Sequence, residues 1–338
     1  MVQSSLKVVY LSAEGRARNG PTNRLGVDPF FGSEAVKGGS TSMNVLRTPE
    51  TRFDRLPGFP FAPHYIDVNG LRIHYVDAGR GDTILCLHGV PTWSFVYRKL
   101  FHALSPRHRL IAPDLAGFGR SDKPAELADH TLQLHRDVVA GFFDELKMGD
   151  VTLVVHDWGG LIGLAALPQI ASQVAKLVIM NTGLPIGEEP VPEDFHKWRR
   201  YVEKTPDLSA AEAVRSGLAH AERMDAAALA AYDAPFPDQT YKAGPRALPL
   251  LVPLRPEDSI VPEMRRARAF LGEWQKPALV LFSDRDPVTR GWERFFRQLI
   301  PSARNRPEVV VRDTGHFLQE ENGEVVAQEI DRFLSSVA

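Results

Sequence analysis

The segment from residue 151 to 163, VTLVVHDWGGLIG, constrains the fold of this chain more than any other. Its first five residues are apolar or β-branched and predict a buried strand, and the apolar residues after the turn favour a helix. The glycines of HDWGG permit a sharp turn and close packing of that helix on the strand. This layout is that of a nucleophile elbow, with Asp157 at the exposed tip. The alternative interpretation is that Asp157 only caps the helix.

Strands and helices alternate on both sides of this segment, which predicts an α/β fold with a mostly parallel central sheet flanked by helices. The hydrophobic pattern predicts further strands at residues 64–68, 71–76, 83–87, 109–112, 176–180, 278–283 and 308–311. Asn69-Gly70 predicts a tight hairpin between the first two of these strands. Helices are predicted over residues 130–146 and, at the end of the chain, over residues 322–336.

Strand-like hydrophobic patterns no longer recur between residues 183 and 253, where Ala-, Glu-, Arg- and Pro-rich segments favour helices and loops. Residues 209–224 and 225–234 each have a helical pattern. We therefore expect a helical cap at 183–253, inserted into a core formed by 43–182 and 254–338. Residues 1–42 have little periodicity and many Gly, Ser, Asn and Arg residues, which predicts a disordered extension.

Composition excludes several classes of function. The net charge of -2 argues against a nucleic-acid partner, which usually requires a strongly basic surface. The chain has neither an apolar run long enough to cross a membrane nor an apolar N-terminal signal segment. Cys86 is the single cysteine; it lies in an apolar strand, is expected in the core, and fits a reducing, cytoplasmic location. No C-x-x-C or H-E-x-x-H metal pattern is present.

Two more groups of polar residues follow late strands. Asp284 and Asp286 come after ALVLFS, and His316 comes after EVVV. Because parallel strands end at one edge of a sheet, these residues are expected to meet Asp157 there. The order Asp157, acid, His316 is that of a nucleophile, acid and base triad. Each residue also has a simpler explanation, since Asp286 precedes a proline in a turn and a loop histidine is often only solvated.

The chain resembles the haloalkane dehalogenases of the α/β-hydrolase superfamily from about Met43 to its C-terminus. The resemblance rests on five motifs: HGVPTWSFVYRKL from His88, PDLAGFGRSDKP from Pro113, VVHDWGGLIGL from Val154, AYDAPFPDQTY from Ala231 and DTGHFLQE from Asp313. The HGxP and GFGxSDKP motifs are shared with epoxide hydrolases. The DWGG turn together with PTWS and APFPD is more specific to dehalogenases.

The resemblance implies a reaction and a role for each residue. Asp157 would displace halide from a small halogenated hydrocarbon and form an alkyl ester, because a saturated carbon offers no carbonyl for a serine to attack. His316 would activate the water that hydrolyses the ester, and Asp286 would orient His316, with Asp284 as the second choice for the acid. The backbone N–H groups of Val90 and Trp158 would form the oxyanion hole. The products would be a primary alcohol and a halide ion. Because the nucleophile, the base and water suffice for this reaction, we expect no cofactor or metal.

The family binds the leaving halide with indole N–H groups, which donate but cannot accept. Trp158 matches the first halide-binding tryptophan, and Trp198 matches the cap tryptophan of one subfamily. Packing in a cap helix is the alternative role for Trp198. Val90 stands where relatives carry Asn or Glu, so a polar neighbour is lost and substrate preference is open.

Two other functions fit the same residues. An epoxide hydrolase would use the same triad with two cap tyrosines, and Tyr201, Tyr232 and Tyr241 lie in the cap segment. A non-catalytic ligand-binding protein of this fold usually lacks a triad residue, and none is missing here. We expect a monomer or a weak homo-oligomer.

Overall fold

The computed structural model describes residues 43–337, and the extension predicted at residues 1–42 lies outside the described residues. Residues 43–337 contain ten strands. They are β1 (Val45–Leu46), β2 (His64–Val68), β3 (Leu71–Ala78), β4 (Thr83–Leu87), β5 (Arg109–Pro113), β6 (Lys123–Pro124), β7 (Val151–His156), β8 (Val174–Met180), β9 (Ala278–Ser283) and β10 (Val309–Val311). Each strand predicted from the sequence is present, which confirms those predictions.

Eight of these strands form one sheet in the order β10-β9-β8-β7-β4-β5-β3-β2. The pairs from β10 to β5 are parallel, whereas β3 pairs antiparallel with both β5 and β2. The short strands β1 and β6 pair separately. The predicted mostly parallel α/β sheet is therefore confirmed. Strands β4 and β7 are neighbours in its middle, so the loops that follow them lie side by side.

The hairpin between β2 and β3 is the one that Asn69-Gly70 predicts. Asn69 has φ 54° and Gly70 has φ 80°, and Val68 pairs with Leu71 across the turn. Two successive positive φ angles are what a two-residue turn needs to match the twist of the strands it joins.

Twelve α-helices complete the described part of the chain. They are α1 (Arg98–Leu104), α2 (Leu132–Glu145), α3 (Trp158–Ile170), α4 (Glu193–Lys204), α5 (Ala210–Gly217), α6 (Ala226–Ala230), α7 (Ala243–Leu251), α8 (Val261–Gly272), α9 (Trp292–Leu299), α10 (Pro301–Arg304), α11 (Leu318–Glu321) and α12 (Gly323–Ser336). Helix α3 contacts α2, α8 and the sheet, whereas α1 contacts α12. Because α3 is enclosed in this way, almost all of its residues are buried.

Between β8 and β9 the chain forms the helices α4 to α8 and no strand. The helix predicted over residues 209–224 is too long, because α5 ends at Gly217 and Leu218 is extended. A tertiary contact explains the early end: the backbone N–H of His316 donates to the Gly217 carbonyl at 2.7 Å. A side chain at Gly217 would also lie 2.7 Å from the ring of Phe317.

The core is a continuous apolar cluster that includes both faces of the central strands. Cys86 lies in this cluster in β4 as a free, fully buried thiol, which confirms its expected core position. Burial raises its pKa well above the usual range. None of the helices in residues 43–337 has the length and apolar character that crossing a membrane requires.

Candidate active site

Asp157 lies in a sharp turn between β7 and α3. Its φ of 49° and ψ of -123° form a backbone conformation that non-glycine residues rarely adopt. The turn requires a glycine two residues later, since a Cβ on Gly159 would lie 2.2 Å from the Leu87 carbonyl oxygen. Among the described residues the Asp157 side chain makes no capping hydrogen bond to α3. The side chain instead borders a cavity, which favours the elbow interpretation over the helix cap.

The loop after β4 contacts the Asp157 carboxylate through its backbone. The backbone N–H of Val90 donates to Asp157 Oδ1 at 2.7 Å. This approach requires Gly89, because a Cβ there would lie 2.4 Å from both Cβ and Oδ1 of Asp157. The neighbouring strands β4 and β7 thus bring a backbone donor onto the carboxylate.

The structure brings the other two predicted side chains to Asp157. His316 Nε2 lies 3.5 Å from Asp157 Oδ2, and His316 Nδ1 lies 2.9 Å from Asp286 Oδ2. Asp284, the second choice for the acid, instead faces Arg312 at 3.7 Å. Three residues separated by up to 159 positions therefore form one chain of contacts, and Asp286 rather than Asp284 belongs to it.

The charges in this cluster stabilise one another. Burial alone would raise the pKa of the Asp286 carboxyl, but the charge of His316 and the donors around Asp286 lower it to about 2. Burial likewise opposes ionisation of Asp157, yet His316 and nearby donors hold its pKa below the usual value. For His316, burial lowers the pKa, and the carboxylates of Asp286 and Asp157 outweigh burial and raise it to about 10.

Two side chains that the sequence analysis did not identify hold the backbone of His316. His156 Nε2 and Asn181 Nδ2 each lie 2.9 Å from the His316 carbonyl oxygen. Asn181 Nδ2 also donates to Ser283 Oγ at 2.7 Å, and the N–H of Asp157 donates to the Asn181 carbonyl at 3.1 Å. Asn181 thus contacts Asp157 and His316 directly and Ser283 at the end of β9, the strand that precedes Asp286. The only available signal was the position of each at the end of a strand.

The loop that carries His316 is also tied to the segment after α5. Glu321 accepts from the backbone N–H groups of Gly315 at 2.7 Å, Ala219 at 3.1 Å and His220 at 2.6 Å. Together with the bond from the His316 amide to Gly217, these contacts fix the base to residues 217–220.

A cavity of about 670 Å³ opens beside Asp157 and His316. Its wall contains Asp157 and His316, and apolar residues from the core and from the segment between β8 and β9. Both predicted indoles, Trp158 and Trp198, border it, and Trp198 stacks on Tyr201 with ring centroids 5.8 Å apart. The pocket is thus large and mostly apolar, and its wall includes the carboxylate of Asp157 and the imidazole of His316. Within residues 43–337 no three or more His, Cys, Asp or Glu side chains cluster as a metal site would require.

Comparison with known proteins identifies the family of this chain. Residues 84–329 match the model of the alpha/beta hydrolase family. A haloalkane dehalogenase from Psychrobacter cryohalolentis is 41% identical over 300 residues, covering 86% of this chain and 98% of the relative. Haloalkane dehalogenase 1 from Mycobacterium bovis is 45% identical over 296 residues, with 85% and 98% covered.

A solved structure supports the same relationship. The tetrameric haloalkane dehalogenase of Paraglaciecola agarilytica superposes with a TM-score of 0.78 at 36% identity, covering 85% of this chain and 97% of that one. The family model, the relatives and the fold agree over the same part of the chain. This chain is therefore an enzyme of the hydrolase class that belongs to the haloalkane dehalogenase family, within the α/β hydrolases.

Proposed function

We propose that this enzyme hydrolyses haloalkanes to a primary alcohol and a halide ion, with Asp157 as nucleophile, His316 as base and Asp286 as the acid that orients His316. The observation that carries the proposal is the series of contacts from Asp157 through His316 to Asp286, with Asp157 and His316 lining a mostly apolar cavity. A carboxylate at the elbow suits attack on a saturated carbon, which has no carbonyl to accept a serine.

In the first half-reaction, an Asp157 oxygen attacks the carbon that bears the halogen. The new C–O bond forms as the carbon–halogen bond breaks, and the halide leaves with the bonding electrons. Asp157 becomes an alkyl ester. The low pKa of Asp157 supports this step, because the carboxylate is ionised at neutral pH.

In the second half-reaction, a water attacks the ester carbonyl and gives its proton to His316 Nε2. The negative charge that develops on the carbonyl oxygen is stabilised by the N–H groups of Val90 and Trp158. The 2.7 Å bond from Val90 to Asp157 Oδ1 supports this assignment. Removing one such donor typically costs about 2.7–4 kcal/mol of transition-state stabilisation. The intermediate then expels the alkoxide, which takes the proton from His316. The Asp157 carboxylic acid that remains gives its proton to His316, which restores the carboxylate and the protonated imidazole of the free enzyme.

The first half-reaction prepares the base for the second. In the free enzyme the negative charge of Asp157 helps to raise the pKa of His316 to about 10. Esterification removes that charge, so the pKa of His316 falls and a larger fraction of the imidazole is neutral, while Asp286 continues to raise the pKa. Neutral imidazole is the form that accepts a proton from water. The base thus becomes available when the ester is there to be hydrolysed.

The leaving halide is bound by the indole N–H groups of Trp158 and Trp198. Both side chains border the cavity that contains Asp157. Residues 183–253 act as the cap that supplies Trp198, and no strand interrupts the helices in the described chain between β8 and β9. A cytoplasmic location is proposed from the single cysteine, which cannot form an internal disulfide.

Epoxide hydrolysis is the less supported alternative. It requires two cap tyrosines with free hydroxyl groups in the cavity. Of the three candidates only Tyr201 borders the cavity. The fully buried Tyr232 donates its hydroxyl to Glu320, so it is already engaged.

The test is parallel turnover of 1-bromobutane, 1,2-dibromoethane and styrene oxide, measuring halide release and diol formation. We expect halide release by the wild type and none in steady state by Asp157→Asn, with unchanged circular dichroism and deamidation excluded by mass. Diol formation without halide release would support the epoxide alternative. No turnover of any substrate would favour a binding role.

A further inference from the structure

We propose that Thr289 is a positioning residue that holds Asp286 for His316 and so controls hydrolysis of the alkyl-enzyme. The inference rests on the proposed function, because it assigns Thr289 to the second half-reaction. No motif in the sequence identified Thr289.

The contacts of Asp286 carry the inference. Asp286 is only 2% exposed, and a carboxylate in such a site needs donors on both oxygens. Oδ1 accepts from the backbone N–H of Val288 at 2.8 Å. Oδ2 accepts from His316 Nδ1 at 2.9 Å and also from the hydroxyl of Thr289. Thr289 therefore donates to the same oxygen that orients the base.

The loop after β9 fixes the position of Thr289. Its carbonyl accepts from the N–H of Trp292 at 3.1 Å, in a turn that includes Gly291 at φ 97°. Thr289 is 6% exposed and borders the cavity. Because the backbone is held and the side chain is enclosed, the hydroxyl has a defined direction toward Asp286.

Two physical effects follow from a second donor on Oδ2. The donor stops the carboxylate from rotating, so that Oδ2 stays in line with His316 Nδ1. It also withdraws charge from that oxygen, which lessens the attraction between Asp286 and protonated His316. Both effects act on His316 as a base. Neither acts on the attack of Asp157 on the substrate, in which His316 transfers no proton.

The matched variants are Thr289→Val, which keeps the shape and removes the donor, and Thr289→Ser, which keeps the hydroxyl. Rapid-quench measurement of 1-bromobutane turnover, with mass spectrometry of the alkyl-enzyme, separates the two rate constants. For Thr289→Val we expect hydrolysis to slow on the order of 10-fold while alkylation changes by less than about twofold. The alkyl-enzyme should accumulate, and the acid limb of the hydrolysis pH profile should move to higher pH. Thr289→Ser should restore both the hydrolysis rate and the wild-type position of the acid limb.

Thr314→Val is the control for general loss of packing. Thr314 is buried two residues before His316, and its hydroxyl donates to the Arg312 carbonyl at 2.8 Å instead of to Asp286. In Thr314→Val, the ratio of the alkylation rate constant to the hydrolysis rate constant should stay at the wild-type value, even if the melting temperature of the variant falls.

The inference is overturned if Thr289→Val hydrolyses the ester at the wild-type rate, if both rate constants fall together, if the acid limb does not move, or if Thr289→Ser fails to restore hydrolysis. Failure of the proposed function is distinguishable from these outcomes. In that case the wild type itself would form no alkyl-enzyme.

Discussion

The side-chain amide of Asn181 donates to the backbone carbonyl of His316 at 2.9 Å, while the backbone carbonyl of Asn181 accepts from the N–H of Asp157 at 3.1 Å. Asn181 achieves this at φ 28°, a strained value for any residue except glycine. The strain is tolerated because the side chain also bonds to Ser283 and Gly315. Asn181 therefore links the backbone of the nucleophile to the backbone of the base.

Substitutions of Asn181 should distinguish the stabilisation that its side-chain hydrogen bonds provide from the destabilisation that its positive φ causes. Asn181→Ala and Asn181→Gly both remove the side-chain bonds and should lower the free energy of unfolding by about 1–3 kcal/mol. Asn181→Gly should be the more stable of the two by about 1 kcal/mol, because glycine tolerates the positive φ. Urea denaturation measures both. Equal stability of the two variants would show that the positive φ carries no cost.

The proposed change in His316 predicts a pH dependence for each half-reaction. Alkylation should be insensitive to pH between about 6 and 9, because Asp157 stays ionised. Hydrolysis should slow as pH falls, because His316 becomes protonated. Each alkylation should also release a proton, since the pKa of about 10 in the free enzyme falls when Asp157 loses its charge. A pH indicator in stopped flow measures that release; its absence at pH 8 would contradict the mechanism.

Trp198→Phe should weaken halide binding on the order of 10-fold, because the ring remains but the N–H donor is lost. Halide quenching of tryptophan fluorescence measures the affinity. Trp274→Phe is the matched control, since Trp274 is buried and does not border the cavity. Unchanged quenching in Trp198→Phe would mean that Trp198 only packs in helix α4.

A buried ion pair should make a large contribution to stability. Arg98 contacts Glu320 through Nη2 and Oε1 at 2.6 Å, and both side chains are buried. Arg98→Met leaves the Glu320 carboxylate without a cation and should lower the free energy of unfolding by about 3–5 kcal/mol. Arg332→Met, which breaks an exposed pair with Glu329, should cost less than about 1 kcal/mol. Similar losses in chemical denaturation of the two variants would contradict this difference.

The sequence was sufficient to predict the eight strands of the large sheet and the meeting of Asp157, Asp286 and His316, but not the short strands β1 and β6. Each strand has a strong apolar pattern, and the ends of parallel strands share one edge. The structure adds that Asp286, and not Asp284, contacts His316.

Other features depend on contacts that no local pattern encodes. His156, Asn181 and Thr289 are single polar residues near strand ends, and their partners lie up to 160 residues away or across a turn. The end of α5 at Gly217 likewise depends on a backbone bond from His316. Helical propensity alone would continue that helix, so the sequence-based boundary was wrong.

The attachment of His316 to residues 217–220 limits how this enzyme can be recombined with its relatives. A chimera that exchanges the segment between β8 and β9 would replace Gly217, Ala219 and His220, and with them the backbone partners of His316 and Glu321. The exchange would change the cavity wall and displace the base at the same time. Such a chimera would have a lower turnover rate unless residues 217–220 are kept from this enzyme or residues 315–321 are exchanged together with the segment.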